Sequence, residues 1–170
     1  FMPVHQRVIN ISSPHTNAWL RQFPNGEAVW DGWRFVFNEV EGPYDYLVVF
    51  DDLHTPFKLQ CDPQNTIHLA TEPPSFHHYA EPFLSQFAWA VTQDKGVKHP
   101  GVIYRQPGMA WFLGWNPASA SDCSVLSFEE LEKLFDLPKT KLISVIASSK
   151  TVTSGHAKRL RFAKKLKQHY

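Results

Sequence analysis

Glu72 is the residue of this 170-residue chain whose neighbours best suit it to work as a base. It stands in residues 66–75, TIHLATEPPS, where an apolar and partly β-branched run with Ile67 and Leu69 leads into the carboxylate and then Pro73-Pro74-Ser75. Proline fixes its own φ and pushes the preceding residue out of the helical region, so Glu72 is held in a stiff turn. A strand that ends in a carboxylate and such a turn holds one acid at the rim of a sheet, just beyond the carboxyl ends of the strands, where open α/β sheets bind ligands. There it would deprotonate a hydroxyl brought within hydrogen-bond reach. A surface turn with a solvated glutamate fits the same residues.

A second set lies in residues 148–155, SSKTVTSG, a polar loop between a predicted strand and a predicted helix. Exposed amides and the positive end of a helix dipole favour an anion at such a place. Ser148 and Ser149 add hydroxyl donors there, and Lys150 and Arg159 add charge. The loop has neither the Walker spacing nor a Gly-x-Gly-x-x-Gly fingerprint, and an ordinary polar connection fits it equally. Asp51-Asp52 closes a strand but lacks Asp-x-Asp spacing, so no metal is expected. His77-His78 follows Glu72 closely and can line a pocket, although adjacent histidines on one turn point apart and chelate poorly. No Ser-His-Asp or Cys-His set has motif context.

The elements that must position these groups alternate along the chain. Strands are expected at residues 6–12, 29–40, 46–50, from Thr66 up to Glu72, and at 87–92, 101–104 and 141–147. In 29–40, Trp33, Phe35 and Phe37 alternate with Arg34, Val36 and Asn38, the period of a half-buried strand. Helices are expected at 15–21, within 77–86 at least from Pro82 onward, at 127–135 and at 156–170. The third carries a capping box, Ser127 with Glu130. Alternating strands and helices argue for an α/β fold with a mostly parallel sheet. The last strand–loop–helix is half of a βαβ unit, lacking its returning strand.

The bulk numbers exclude several classes. A hydrophobic fraction of 43% with 19% charged residues describes a globular chain rather than a disordered one. The net charge of +1 gives no global case for nucleic acid, although the terminal helix is basic, with Lys158, Arg159, Arg161, Lys164, Lys165 and Lys167. That face suits solvent, and a nucleic-acid or acidic-lipid patch is its functional alternative. Two cysteines, Cys61 and Cys123, have no metal or redox spacing and read as reduced, in a cytoplasmic protein. No apolar run reaches the length of a membrane helix.

Taken together, the EPPS turn, FLSQFAWAVT at 83–92 and ISVIASS…HAKRLRFAKKL at 143–166 resemble the family 10 glycosyltransferases, the α-1,3/1,4-fucosyltransferase type. Glu72-Pro73-Pro74-Ser75 matches the turn that carries that family's base. Ala88-Trp89 matches its Asn-Trp core. Ser148-Ser149, Arg159, Phe162 and Leu166 match its strand end, arginine, aromatic and leucine. The likeness runs in order over residues 46–170. Ser149 stands where the family has Asn, and the loop before Arg159 is long.

The resemblance implies the N-terminal half of a GT-B type enzyme: a Rossmann-like, mostly parallel sheet with flanking helices over residues 1–137, and in 138–170 the first strand–loop–helix of an incomplete donor-binding domain. It implies inverting, metal-independent transfer of a sugar from a nucleotide sugar of the GDP-fucose kind to a glycan or glycolipid hydroxyl. Glu72 would be the base, and Arg159, Ser148, Ser149 and Lys150 would hold the donor phosphates. Trp30, Trp33, His77, His78 and Trp111 are candidates for the acceptor. The donor is a co-substrate, and no cofactor or nucleic-acid partner is expected. The implied setting is surface-glycan or lipopolysaccharide assembly at the cytoplasmic face, with peripheral membrane association open. A non-catalytic carbohydrate- or partner-binding α/β domain is the alternative.

Overall fold

The run YLVVF forms β4 (Tyr46–Phe50), and the sheet grows from it in both directions. The computed structural model describes residues 6–13, 16–53, 56–106 and 126–169. Two compact units are present, Phe1–Phe135 and Asp136–Tyr170, and each is described by itself.

The first unit holds a seven-stranded sheet in the order β2-β3-β1-β4-β5-β6-β7. Its strands are β1 (Val8–Ser12), β2 (Val29–Trp30), β3 (Trp33–Phe37), β4, β5 (Thr66–Leu69), β6 (Trp89–Thr92) and β7 (Val102–Tyr104). Every pairing is parallel except β2 with β3. Helices α1 (Thr16–Arg21), α2 (Glu81–Leu84) and α3 (Phe128–Glu132) flank it. The fold is α/β, with a mostly parallel mixed sheet.

Register explains the core. Val49, His68, Ala90 and Val102 stand side by side on β4 to β7 and so share one face. The first three of them are fully buried. The chain around α2 covers this face with Tyr79, Phe83, Leu84 and Phe87. On the other face, the α1 residue Trp19 meets Phe50 edge-on, with ring centroids 5.7 Å apart. Phe23 packs there on Phe35 and Phe37.

Three expectations need correction here. Residues 29–40 are not one strand but a hairpin, because Asp31 (φ 48°) and Gly32 (φ 78°) both take the left-handed conformation of a two-residue turn. Asp-Gly is the sequence signal for that turn, and it outweighs the alternation around it. The strand expected from residue 87 begins at Trp89, since the amide of Ala88 donates to the Thr66 hydroxyl (2.9 Å) rather than to a neighbouring strand. Helix α3 is shorter than expected, ending at Glu132, although its capping box is present in both directions.

The second unit holds α4 (Ser154–His169) and a stretch without regular secondary structure before it. Residues 141–147 do not form a strand, contrary to expectation: their apolar residues run as a strand would, but no described strand pairs with them. A strand exists only through its ladder, so extended apolar backbone without a neighbour stays unpaired. Ile143, Val145 and Ala147 instead line a cavity with Leu160, Ala163 and Leu166.

Candidate active site

The chain leaves β1 for β3 on one side and later places β4 on the other side of β1. That reversal marks the crevice where parallel sheets bind ligands, beyond the carboxyl ends of the strands. The rim there is made by Ser13, Asn38, Asp51-Asp52, Thr71-Glu72 and Asp94. Asn38 ties two strand ends together: its Nδ2 donates to the Ser13 carbonyl (2.8 Å), and its Oδ1 accepts from the Ser13 amide (2.9 Å).

Asp51 is the most constrained residue on this rim. Its φ is +74°, left-handed for a non-glycine. Such backbone costs about 1–3 kcal/mol and persists only where the surroundings over-determine it. They do so here. The Asp51 amide donates to the Leu69 carbonyl (3.0 Å), its carbonyl accepts from His68 Nε2 (2.8 Å), and its Oδ1 accepts from the Tyr79 hydroxyl. The Tyr79 oxygen also accepts from the amide of Thr71, the residue before Glu72 (3.4 Å). Burial, reinforced by the Asp51 carboxylate, pushes the Tyr79 phenol up to about 12, so it stays a donor. This network pins the segment that follows the Glu72 turn back onto the sheet.

His68 is the buried end of the network. It is 0% exposed and lies among the rings of Tyr79 (4.6 Å), Phe83 (5.3 Å) and Phe87 (5.5 Å). A carbonyl only accepts, so Nε2 carries the proton, and the buried Nδ1 has no partner among the described residues. Burial lowers the pKa of His68, with the Asp51 carbonyl and the charges of Asp51 and Asp52 opposing it in part. The folded chain therefore keeps His68 neutral where the unfolded chain takes up a proton. Stability should fall as the pH drops below the unfolded value of about 6.5, by at most about 1.4 kcal/mol per unit from this group, and level off below the folded pKa. Urea midpoints measured across this range should show that slope, and His68→Leu should flatten it; an unchanged slope in the variant would assign it to other groups.

Glu72 is half-buried immediately beyond the carboxyl end of β5. The Pro73 carbonyl accepts from the amides of Phe76 (2.8 Å) and His77 (3.0 Å), so the Pro-Pro step is a closed, hydrogen-bonded turn. The Glu72 carboxylate makes no hydrogen bond or ion pair with a described residue and is available to a ligand.

The two histidines diverge as their adjacency requires. His77 Nε2 faces Asp52 Oδ2 at 3.6 Å, and His78 Nδ1 faces Asp94 Oδ2 at 3.7 Å. Among the described residues no group of three His, Cys, Asp or Glu could hold a metal ion.

The tryptophans stand elsewhere. Trp33 opens β3 and Trp30 pairs with it across the hairpin, so both lie at the amino ends of the parallel strands. Glu72 is at the opposite edge, and the structure does not bring these rings to it. Trp33 instead packs on Tyr46 (5.7 Å) under the Arg7 guanidinium (5.3 Å), and Trp30 packs on Phe128 (5.6 Å). Trp111 lies outside the described residues.

In the second unit, Ser148, Ser149 and Lys150 are exposed on the loop ahead of α4. The helix begins two residues earlier than expected because Thr153 caps it. The Thr153 hydroxyl accepts from the His156 amide (3.3 Å), and His156 Nδ1 accepts from the Thr153 amide (3.1 Å). This is the capping-box pattern with an imidazole in place of a carboxylate. Arg159 consequently lies in the second turn of α4, not the first, and is exposed.

Sequence reasoning missed Tyr79, His68 and the Thr153–His156 cap. The last had a signal, a Thr three residues before a side chain with an acceptor. Among the described residues, no helix is long and apolar enough to cross a membrane. Compared with protein-family models, curated proteins and solved structures, the chain matches none.

Proposed function

We propose that the chain is part of a GT-B type glycosyltransferase resembling the family 10 fucosyltransferases, with Glu72 as the base that deprotonates an acceptor hydroxyl. The observation that carries this reading is the placement of Glu72: a half-buried carboxylate beyond the end of a parallel strand, in a closed Pro-Pro turn, with no protein partner among the described residues. Inverting transfer needs one such base on the side of the attacking hydroxyl. It also needs cationic stabilisation of the departing nucleotide diphosphate. In this reading Arg159 supplies the charge, while Ser148, Ser149 and Lys150 contact the phosphates. His77 and His78, on the segment leaving the Glu72 turn, remain acceptor candidates. Trp30 and Trp33, at the opposite sheet edge, do not.

Calorimetric titration with GDP, UDP and CMP tests the donor assignment. One nucleotide should bind, and Arg159→Ala should weaken it about tenfold or more, the loss of a charge-assisted contact of about 1.5–3 kcal/mol. Unchanged affinity in that variant would remove Arg159 from the site. Binding of none of the three would favour the non-catalytic carbohydrate-binding alternative.

A further inference from the structure

We infer that a groove between α2 and the segment leading into β7 binds a neutral saccharide. The cavity measures about 520 Å³, within the roughly 300–1,000 Å³ of small-ligand sites. It starts at His78 and Tyr79, on the segment that leaves the Glu72 turn, and extends to Gln64 and Ala88 at the leading ends of β5 and β6.

One wall of the groove is preformed. The segment 94–101 opens with a tight turn in which Asp94 Oδ1 accepts from the Gly96 amide (2.8 Å). Further along, His99 Nε2 donates to the Phe87 carbonyl (3.0 Å) and His99 Nδ1 accepts from the Gly101 amide (3.1 Å). The Tyr104 hydroxyl donates to the Val97 carbonyl (2.9 Å). Both nitrogens of His99 are therefore committed, and this histidine shapes the wall instead of meeting a ligand. A wall held at three points orders little on binding, which favours affinity.

The remaining polar groups define the ligand. The side chains of Gln64, Glu81 and Lys98 and the Nε2 of His78 line the groove without a partner among the described residues, while His78 Nδ1 faces Asp94. Ser85 donates to the Pro82 carbonyl (3.0 Å) and retains lone pairs. One carboxylate and one ammonium cancel, so the groove selects neither an anion nor a cation. Both donors and acceptors line it, which suits hydroxyls, since each hydroxyl can donate and accept. Leu84, Val97 and Pro100 supply aliphatic surface for C–H faces. Of the four rings that line the groove, Tyr79 and Phe87 are only 7% and 6% exposed and His99 is held against the Phe87 carbonyl. His78 therefore offers the one open face on which a nucleobase could stack, and AMP tests for that.

That this saccharide is the acceptor rests on the transferase reading; that it binds does not. The test is a titration of the isotope-labelled chain with cellobiose, lactose and N,N′-diacetylchitobiose, followed by amide NMR, with inorganic phosphate and AMP as comparison ligands. At least one disaccharide should shift the amides of Ser85, Gly96 and Lys98. Glu81→Ala should weaken that binding about tenfold, the scale of one charged hydrogen bond. Ser85→Trp, at an exposed position, should abolish it while leaving shifts outside the groove unchanged. Lys98→Met gives a second variant with no added bulk, and it should also weaken binding. Absence of shifts with all three sugars, shifts with phosphate or AMP alone, or full binding in every variant would overturn the inference. Glu72→Gln should keep the disaccharide shifts, so loss of transfer and loss of saccharide binding are separate results.

Discussion

On the transferase proposal, replacing Glu72 by Gln should lower sugar transfer by about 10²–10⁴-fold, the usual contribution of a general base, while nucleotide binding stays unchanged. The amide has the size of the carboxylate and does not alter the Pro73 turn, whose hydrogen bonds are made by backbone groups. It cannot take a proton from an attacking hydroxyl. Because the Glu72 side chain makes no hydrogen bond or ion pair with a described residue and the amide keeps its size, the variant should also melt as the parent does. A rate loss with unchanged melting temperature and nucleotide affinity is the signature of lost proton transfer. Equal rates in parent and variant would take Glu72 out of the mechanism and shift attention along the rim to Asp51-Asp52.

The second large effect concerns Gly101. Strand β7 approaches β6 so closely at its start that a Cβ on Gly101 would overlap the Ala88 carbonyl oxygen, with the Ala88 carbonyl carbon at 3.1 Å and Trp89 Cα at 3.4 Å. These are backbone atoms, so no rotamer change relieves the overlap. The Gly101 carbonyl accepts from the Ala90 amide (3.1 Å), so separating the strands would break that bond, while the Gly101 amide donates to His99 within its own segment. Gly101→Ala should therefore cost about 3 kcal/mol, the upper range of overpacking, and lower the melting temperature by about 6–12 °C. Hydrogen exchange should show the damage first at the Ala90 amide. A melting temperature unchanged by this substitution would mean that β7 can shift away from β6 at no cost. The same substitution should weaken disaccharide binding, because Gly101 anchors the His99 wall of the groove.

Local pattern and tertiary structure divide the explanation between them. The apolar run at β4 was legible because a parallel strand inside a sheet covered on both faces needs near-continuous hydrophobicity. The Ser127–Glu130 box was legible because helix capping is satisfied within four residues. The EPPS turn was legible because proline restricts its own backbone and its neighbour's whatever surrounds it. These are local effects, decided by covalent geometry and nearest neighbours.

What depends on pairing was not legible. Residues 141–147 have the composition of a strand, but a strand also needs a partner, and composition does not supply one. In β5 the apolar positions Ile67 and Leu69 drew notice, yet Thr66 and His68 are the buried ones. His68 is an imidazole at the bottom of a core, tolerated because a carbonyl 17 residues earlier accepts its proton and three rings surround it. The left-handed Asp51, the Tyr79 link to it and the groove beside α2 all join residues far apart in the chain. The sequence alone determined that an acid would stand in a rigid turn after a strand and that the chain would build an α/β sheet. Only the tertiary structure decided which groups face that acid's rim, because strand order and register place Asp51, Tyr79 and the histidines there and carry Trp30 and Trp33 to the other edge.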